Sequence, residues 1–126
     1  MARILLIDDD DSLRETLHLA LVGFGHVVVE ASNGKEGLKI LSEANPDLLI
    51  TDIVMPEMEG LELVMKMRTI RPQLKIIAIS GAGQKGPLDY LDAARLMGAA
   101  KIIAKPFHFD VISAAIKELL ADDPSR

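Results

Sequence analysis

Ile4-Leu5-Leu6-Ile7-Asp8-Asp9-Asp10-Asp11 decides the fold: four aliphatic residues run without interruption into four carboxylates. An apolar run of this length is too short for a free-standing helix. Its lack of polar alternation suits a strand covered on both faces. Working outward, four more runs follow the pattern, at residues 27–29, 48–50, 76–79 and 102–104, all rich in Ile, Val or Leu.

The segments between the runs carry helical spacing. Leu13, Leu17, Leu21 and Phe24 recur every three or four residues. So do Leu61, Val64, Met65 and Arg68, and so do Val111, Ala115 and Leu119 with Ile112, Ile116 and Leu120 beside them. Each set predicts an amphipathic helix with one face inward. Ser12 to Glu15 and Asn33 to Glu36 both match a capping box, and Gly23, Gly25 and Gly98 fall where helices should stop. Pro46, Pro56, Pro72 and Pro106 fall in connections. The alternation is (βα)5, an α/β chain with a parallel sheet and helices on both faces, doubly wound.

Bulk properties narrow the function. At 126 residues the chain fits one domain, expected over 1–121, with 122–126 as a short C-terminal tail. Cysteine is absent, which removes disulfides, thiolate metal sites and a thiol nucleophile, and suits a cytoplasmic location. The net charge of −5, with no basic run, argues against direct nucleic-acid binding. No stretch is long and apolar enough for a signal peptide or membrane insertion. His18, His26 and His108 are scattered and lack metal spacing.

Ligands of open α/β sheets bind beyond the carboxyl ends of the strands. The residues just after each run are therefore the informative ones. Run one delivers Asp8 to Asp11, run three Thr51-Asp52, run four Ser80-Gly81 and run five Lys105-Pro106, whereas run two ends near Glu30 and adds nothing obvious. Asp8, Asp9 and Asp52 converge if strands one and three are neighbours. Like charges that close either raise a pKa or call for a cation, and an oxygen-only set favours a hard ion such as Mg2+. A carboxylate can accept a phosphoryl group, and an ammonium and a hydroxyl can stabilise its spread charge. Asp10 and Asp11 are read differently, as caps of the first helix.

Ile7-Asp8-Asp9 followed by Arg14, Asp52-Ile53-Val54-Met55-Pro56 with Gly60, Ser80-Gly81, and Lys105-Pro106-Phe107 together resemble the receiver signature of two-component response regulators, across essentially the whole chain. The resemblance implies the flavodoxin-like strand order 2-1-3-4-5, which that class shares. It also implies a role for each matched position. Asp52 corresponds to the phosphoryl acceptor, Asp9 to the direct Mg2+ ligand, and Asp8 to an acid acting through metal-bound water. The Val54 carbonyl completes the metal shell. Ser80 is the hydroxyl that moves to the phosphoryl group, Gly81 the small residue that leaves access, and Lys105 the ammonium partner. The bond before Pro106 is expected to be cis. Implied partners are a histidine kinase or histidine phosphotransfer protein as donor, and a downstream protein reading the face of the fourth and fifth helical segments and strand five.

Two departures stand out. Ile102 occupies the switch position where the family carries Tyr or Phe, and it cannot present a ring. The stretch from Ser80 to Lys105 is long and starts with the glycine-rich 81–87, expected to order with phosphate. The alternative function is a phosphorylation-independent interaction module with the same fold. A phosphatase would need a second acid two residues after Asp52, where Val54 stands.

Overall fold

The computed structural model describes residues 2–52, 59–80, 100–105 and 107–121, excluding the side chains of 59–64 and 80. The elements run β1 (Arg3–Ile7), α1 (Asp11–Gly23), β2 (Val27–Ala31), α2 (Gly34–Ala44), β3 (Leu48–Asp52), α3 (Glu59–Ile70), β4 (Lys75–Ser80), β5 (Lys101–Ala104) and α4 (Phe109–Ala121). All strands are parallel, in the order β2-β1-β3-β4-β5. The helical segment expected between β4 and β5, with Gly98 as its stop, lies outside the described residues, as do 81–87 and the tail 122–126.

Strand periodicity sorts the core into two layers. Leu5, Ile7, Leu49, Ile76 and Ala78 point to one face and pack with Leu41 of α2 and Met67 of α3. Ile4, Leu6, Leu48, Ile50, Ile77 and Ile79 point to the other and pack with Leu17 and Leu21 of α1 and Ile112, Ile116 and Leu119 of α4. Burial on both faces explains why β1, β3 and β4 are unbroken aliphatic runs. The edge strands are less covered: Val27 is exposed, and β5 buries only Ile103.

Three expectations about helix faces need correction. Phe24 lies beyond the last turn of α1 as its C-cap and is exposed, because the helix ends at Gly23. Met65 is exposed while Met67 is buried, so the inner stripe of α3 is rotated by two residues, roughly 200° at 100° per residue. Val111 is exposed, and Ile112, Ala115, Ile116 and Leu119 form the inner face of α4.

Caps explain where the helices start. Asn33 accepts a 2.8 Å bond from the Glu36 N–H, and Glu36 Oε1 accepts one from the Ser32 N–H, closing the expected box one residue early. At α1 the box at Ser12 does not form. Asp10 caps instead, its Oδ1 accepting from the Leu13 N–H at 3.1 Å. The helix thus begins two residues sooner, directly off the acidic run. Asn45, in the left-handed region at φ 50, terminates α2.

Two features hold β1 in place. Gly37 lets α2 approach the sheet, since a Cβ there would collide with the buried Ile7 side chain. At the opposite end of the sheet, the Ala2 N–H donates to His26 Nδ1 at 3.1 Å, which requires an imidazole unprotonated at that nitrogen. Burial, the chain amine and Lys117 all push the His26 pKa down, consistent with that neutral form.

Candidate functional site

Parallel pairing makes the rim. Ile7 is opposite Thr51 in the β1–β3 register, so the next residues on each strand, Asp8 and Asp52, emerge side by side. Both are almost fully buried, while Asp9 is exposed. One carboxylate oxygen from each of Asp8, Asp9 and Asp52 lies within 4.8 Å of the others, a group that could hold a metal ion.

Lys105, just past β5, reaches across to this group. Its Nζ lies 2.7 Å from Asp52 Oδ2 and 3.5 Å from Asp8 Oδ2. The other oxygen of Asp8 accepts the Asp10 N–H at 2.9 Å, a turn that holds the acid in place. Among the described residues, three carboxylates therefore face one ammonium.

The titration behaviour follows. Burial, chiefly, pushes the Asp8 carboxyl above the ordinary value of 3.8, and the charge of Asp52 adds to it. The Asp10 N–H and Lys105 oppose that rise without cancelling it. Burial works against the Lys105 ammonium, yet the hydrogen bond and charge of Asp52, with Asp8 behind them, hold its pKa above 10.5. The ammonium stays protonated, and its charge does not bring the buried Asp8 carboxyl back to the ordinary carboxylate range. An oxygen-only set with unbalanced negative charge fits a hard divalent ion better than a transition metal.

The other expected residues divide in two. Ile102 lies on β5 opposite Ala78, half-buried, and packs against the core layer of α2 and α3. Ser80 ends β4, and its backbone is aligned with Ala104 of β5, one residue before Lys105. The Ser80 side chain, Val54, Met55, Pro56, Gly81 and Pro106 lie outside the described residues, as does the side-chain environment of Gly60.

One neighbour of the rim, expected from the sequence to add nothing obvious, makes contacts. Glu30, near the end of β2, accepts a 2.9 Å bond from Arg14 Nε. Its second oxygen lies 2.7 Å from His18 Nδ1, at ion-pair distance but outside hydrogen-bond alignment. Arg14 also donates to Asp11 Oδ1 at 2.7 Å and to the Asp8 carbonyl at 2.6 Å. The rule of inspecting strand ends did point to Glu30. Its partners are on α1, and only the packing of α1 against β2 brings them together.

Comparison with known proteins agrees with this geometry. Residues 4–117 match the response regulator receiver domain. The chain is 41% identical over 122 residues to the response regulator receiver protein CpdR of Brucella abortus, covering 96% of this chain and 99% of that one. Among solved structures, a CheY-like receiver domain protein from Methanospirillum hungatei superimposes with a TM-score of 0.88 at 31% identity, over 97% of this chain and 95% of that one. The response regulator TrrA of Thermotoga maritima, in complex with Mg2+-BeF, gives 0.82 at 34% identity, over 94% and 99%.

Proposed function

The chain belongs to the response regulator receiver domain family, and from that premise we propose that it is a Mg2+-dependent phosphoryl switch with Asp52 as acceptor. The observation that carries the reading is the approach of Lys105 Nζ to Asp52 Oδ2 at 2.7 Å inside a three-carboxylate cluster. Asp8, Asp9 and Asp52 would hold the ion, with the Val54 carbonyl as a fourth protein ligand. The ion supplies charge neutralisation for the phosphoryl oxygens and for the crowded acids. Support comes from the Thermotoga relative, which is in complex with Mg2+-BeF.

In the proposed reaction an Asp52 carboxylate oxygen attacks the phosphorus of a phosphohistidine. The phosphorus–nitrogen bond breaks, and the histidine leaves with that electron pair. Lys105, already directed at Asp52, pairs with a phosphoryl oxygen, and the Ser80 hydroxyl donates to another. Gly81 leaves room for the incoming group. Water later hydrolyses the acyl phosphate and regenerates the carboxylate. The donor is a histidine kinase or a histidine phosphotransfer protein. The output is a change of protein contacts by the unit 1–121, read by a partner at the helical segment between β4 and β5, at β5 and at α4, with no direct nucleic-acid contact. This is signalling in the cytoplasm: the chain catalyses only its own phosphorylation and dephosphorylation.

The test is incubation with Mg2+ and acetyl phosphate, followed by intact mass, beside an Asp52→Asn control. A Mg2+-dependent gain of one phosphoryl group, absent from the control, is expected. No gain in folded protein that binds Mg2+ would favour the phosphorylation-independent interaction module, consistent with Ile102 packed against the core layer of α2 and α3.

A further inference from the structure

We infer that Arg14 is a positioning residue for the metal site: through the Asp8 carbonyl it sets the peptide that carries Asp9, and Glu30 holds it in that pose. The inference rests on the Mg2+ reading above and deepens it.

Arg14 lies in the first turn of α1, where its own N–H makes an early helical bond to the Asp10 carbonyl. From there the side chain turns back across the β1–α1 connection. Nη1 donates to the Asp8 carbonyl at 2.6 Å, the shortest of its three bonds. That carbonyl belongs to the peptide linking Asp8 to Asp9. A peptide is planar, so fixing its oxygen also fixes the Asp9 N–H and Cα. The Asp8 N–H is bound on the other side to the Ala31 carbonyl at 3.3 Å. The Asp8 main chain is thus gripped at both of its polar atoms.

Asp9 needs such help. Asp8 is buried and tied by Asp10 and Lys105, and Asp52 is buried and tied by Lys105. Asp9 is exposed, and no hydrogen bond holds its carboxylate among the described residues. Its position follows from its backbone. Outer groups that orient metal ligands commonly matter about 10- to 100-fold in metal affinity.

The chemistry of the clamp requires arginine. Three acceptors lie around one guanidinium: the Asp8 carbonyl, Glu30 and Asp11. A planar fork with fixed donors can serve all three, and an ammonium cannot keep that geometry. The Arg14 side chain is only 14% exposed, so solvent does not substitute for the lost bonds. Asp11 is 82% exposed and adds little, whereas Glu30 is about one-third exposed and comes from a different strand. Glu30 is therefore the partner that ties the clamp to the sheet.

The sign of the effect separates positioning from charge. Arg14 is a cation near an acidic metal site. If it acted only through its charge, Arg14→Ala would tighten Mg2+ binding and Arg14→Lys would leave it unchanged. Positioning predicts the reverse: both variants bind Mg2+ more weakly, by about tenfold.

The experiment is calorimetric titration of the whole chain and of Arg14→Lys and Arg14→Ala with Mg2+ alone. Circular dichroism confirms that each is folded. The expected result is Mg2+ binding by the unaltered chain and about tenfold weaker binding by Arg14→Lys. Unchanged affinity in folded Arg14→Lys, or tighter binding in Arg14→Ala, would overturn the inference while leaving the metal site intact. Absence of Mg2+ binding by the unaltered chain would overturn the metal reading and the inference with it. If Arg14→Ala does not fold, Arg14→Lys decides.

Discussion

Two charge clusters meet at the β1–α1 connection, and they follow opposite rules. At the rim, Asp8, Asp9 and Asp52 face one cation among the described residues, Lys105, and two of the acids are buried. Beside it, Arg14 lies 2.9 Å from Glu30 and 2.7 Å from Asp11, and His18 Nδ1 lies 2.7 Å from the second oxygen of Glu30, so that each acid there meets a nitrogen of α1. A matched cluster joins elements, here α1 to β2. An unmatched buried cluster weighs against the fold unless something outside the chain completes it. The contrast separates framework from site: uncompensated charge marks where a ligand belongs.

The largest expected effect comes from removing the Lys105 ammonium, which lies 2.7 Å from Asp52. Lys105→Met should slow phosphorylation by acetyl phosphate about a hundredfold, since one directed donor to the transferring group is lost. Mg2+ binding should hold or tighten, because a positive charge has left. A time course of intact mass at saturating Mg2+ reads the rate, and an unchanged rate would place Lys105 outside the machinery.

Breaking the matched cluster should act on stability. Glu30→Gln keeps an oxygen for Arg14 Nε but removes the charge opposite a side chain that is 14% exposed. Glu30 itself is about one-third open to solvent, so screening limits the cost to about 1 kcal/mol. Urea denaturation checks it, and a midpoint equal to that of the unaltered chain would show that the match contributes nothing.

The smallest effect has the opposite sign. Burial raises the Asp8 pKa, so the unfolded chain ionises there near 3.8 while the folded chain still holds its proton. As pH rises through that window, the folded state loses stability relative to the unfolded one. At neutral pH the ionised Asp8 weighs against the fold. Asp8→Asn should raise Tm by a few degrees in Mg2+-free buffer at pH 7. The gain should vanish below about pH 3.8 and shrink when Mg2+ is added to both proteins. A Tm below that of the unaltered chain at pH 7 would mean that the link to Lys105 outweighs burial.

Much of this was legible in the chain. The unbroken aliphatic runs marked all five strands; β1, β3 and β4 show such runs because a strand buried on both faces has no polar side to show. Reading the residue after each run found Asp8, Asp52 and Lys105, since parallel strands all discharge at one edge. The misread positions have physical reasons as well. Met65 and Met67 are chemically alike, and only the docking of α3 selects which is buried. The Ser12 box does not form because Asp10, read from the sequence as a cap, takes that place two residues earlier.

The sequence by itself determined the alternation of elements, the caps available to them and the acids at the strand ends, because those depend on local pattern and on order along the chain. Tertiary structure alone decided which charges are compensated. Lys105 is 53 residues from Asp52, and Glu30 is 16 from Arg14. Whether an acid finds its cation at 2.7 Å or stays short of one depends on which strands are neighbours and which helix packs on them, and a linear sequence does not carry distance between remote residues.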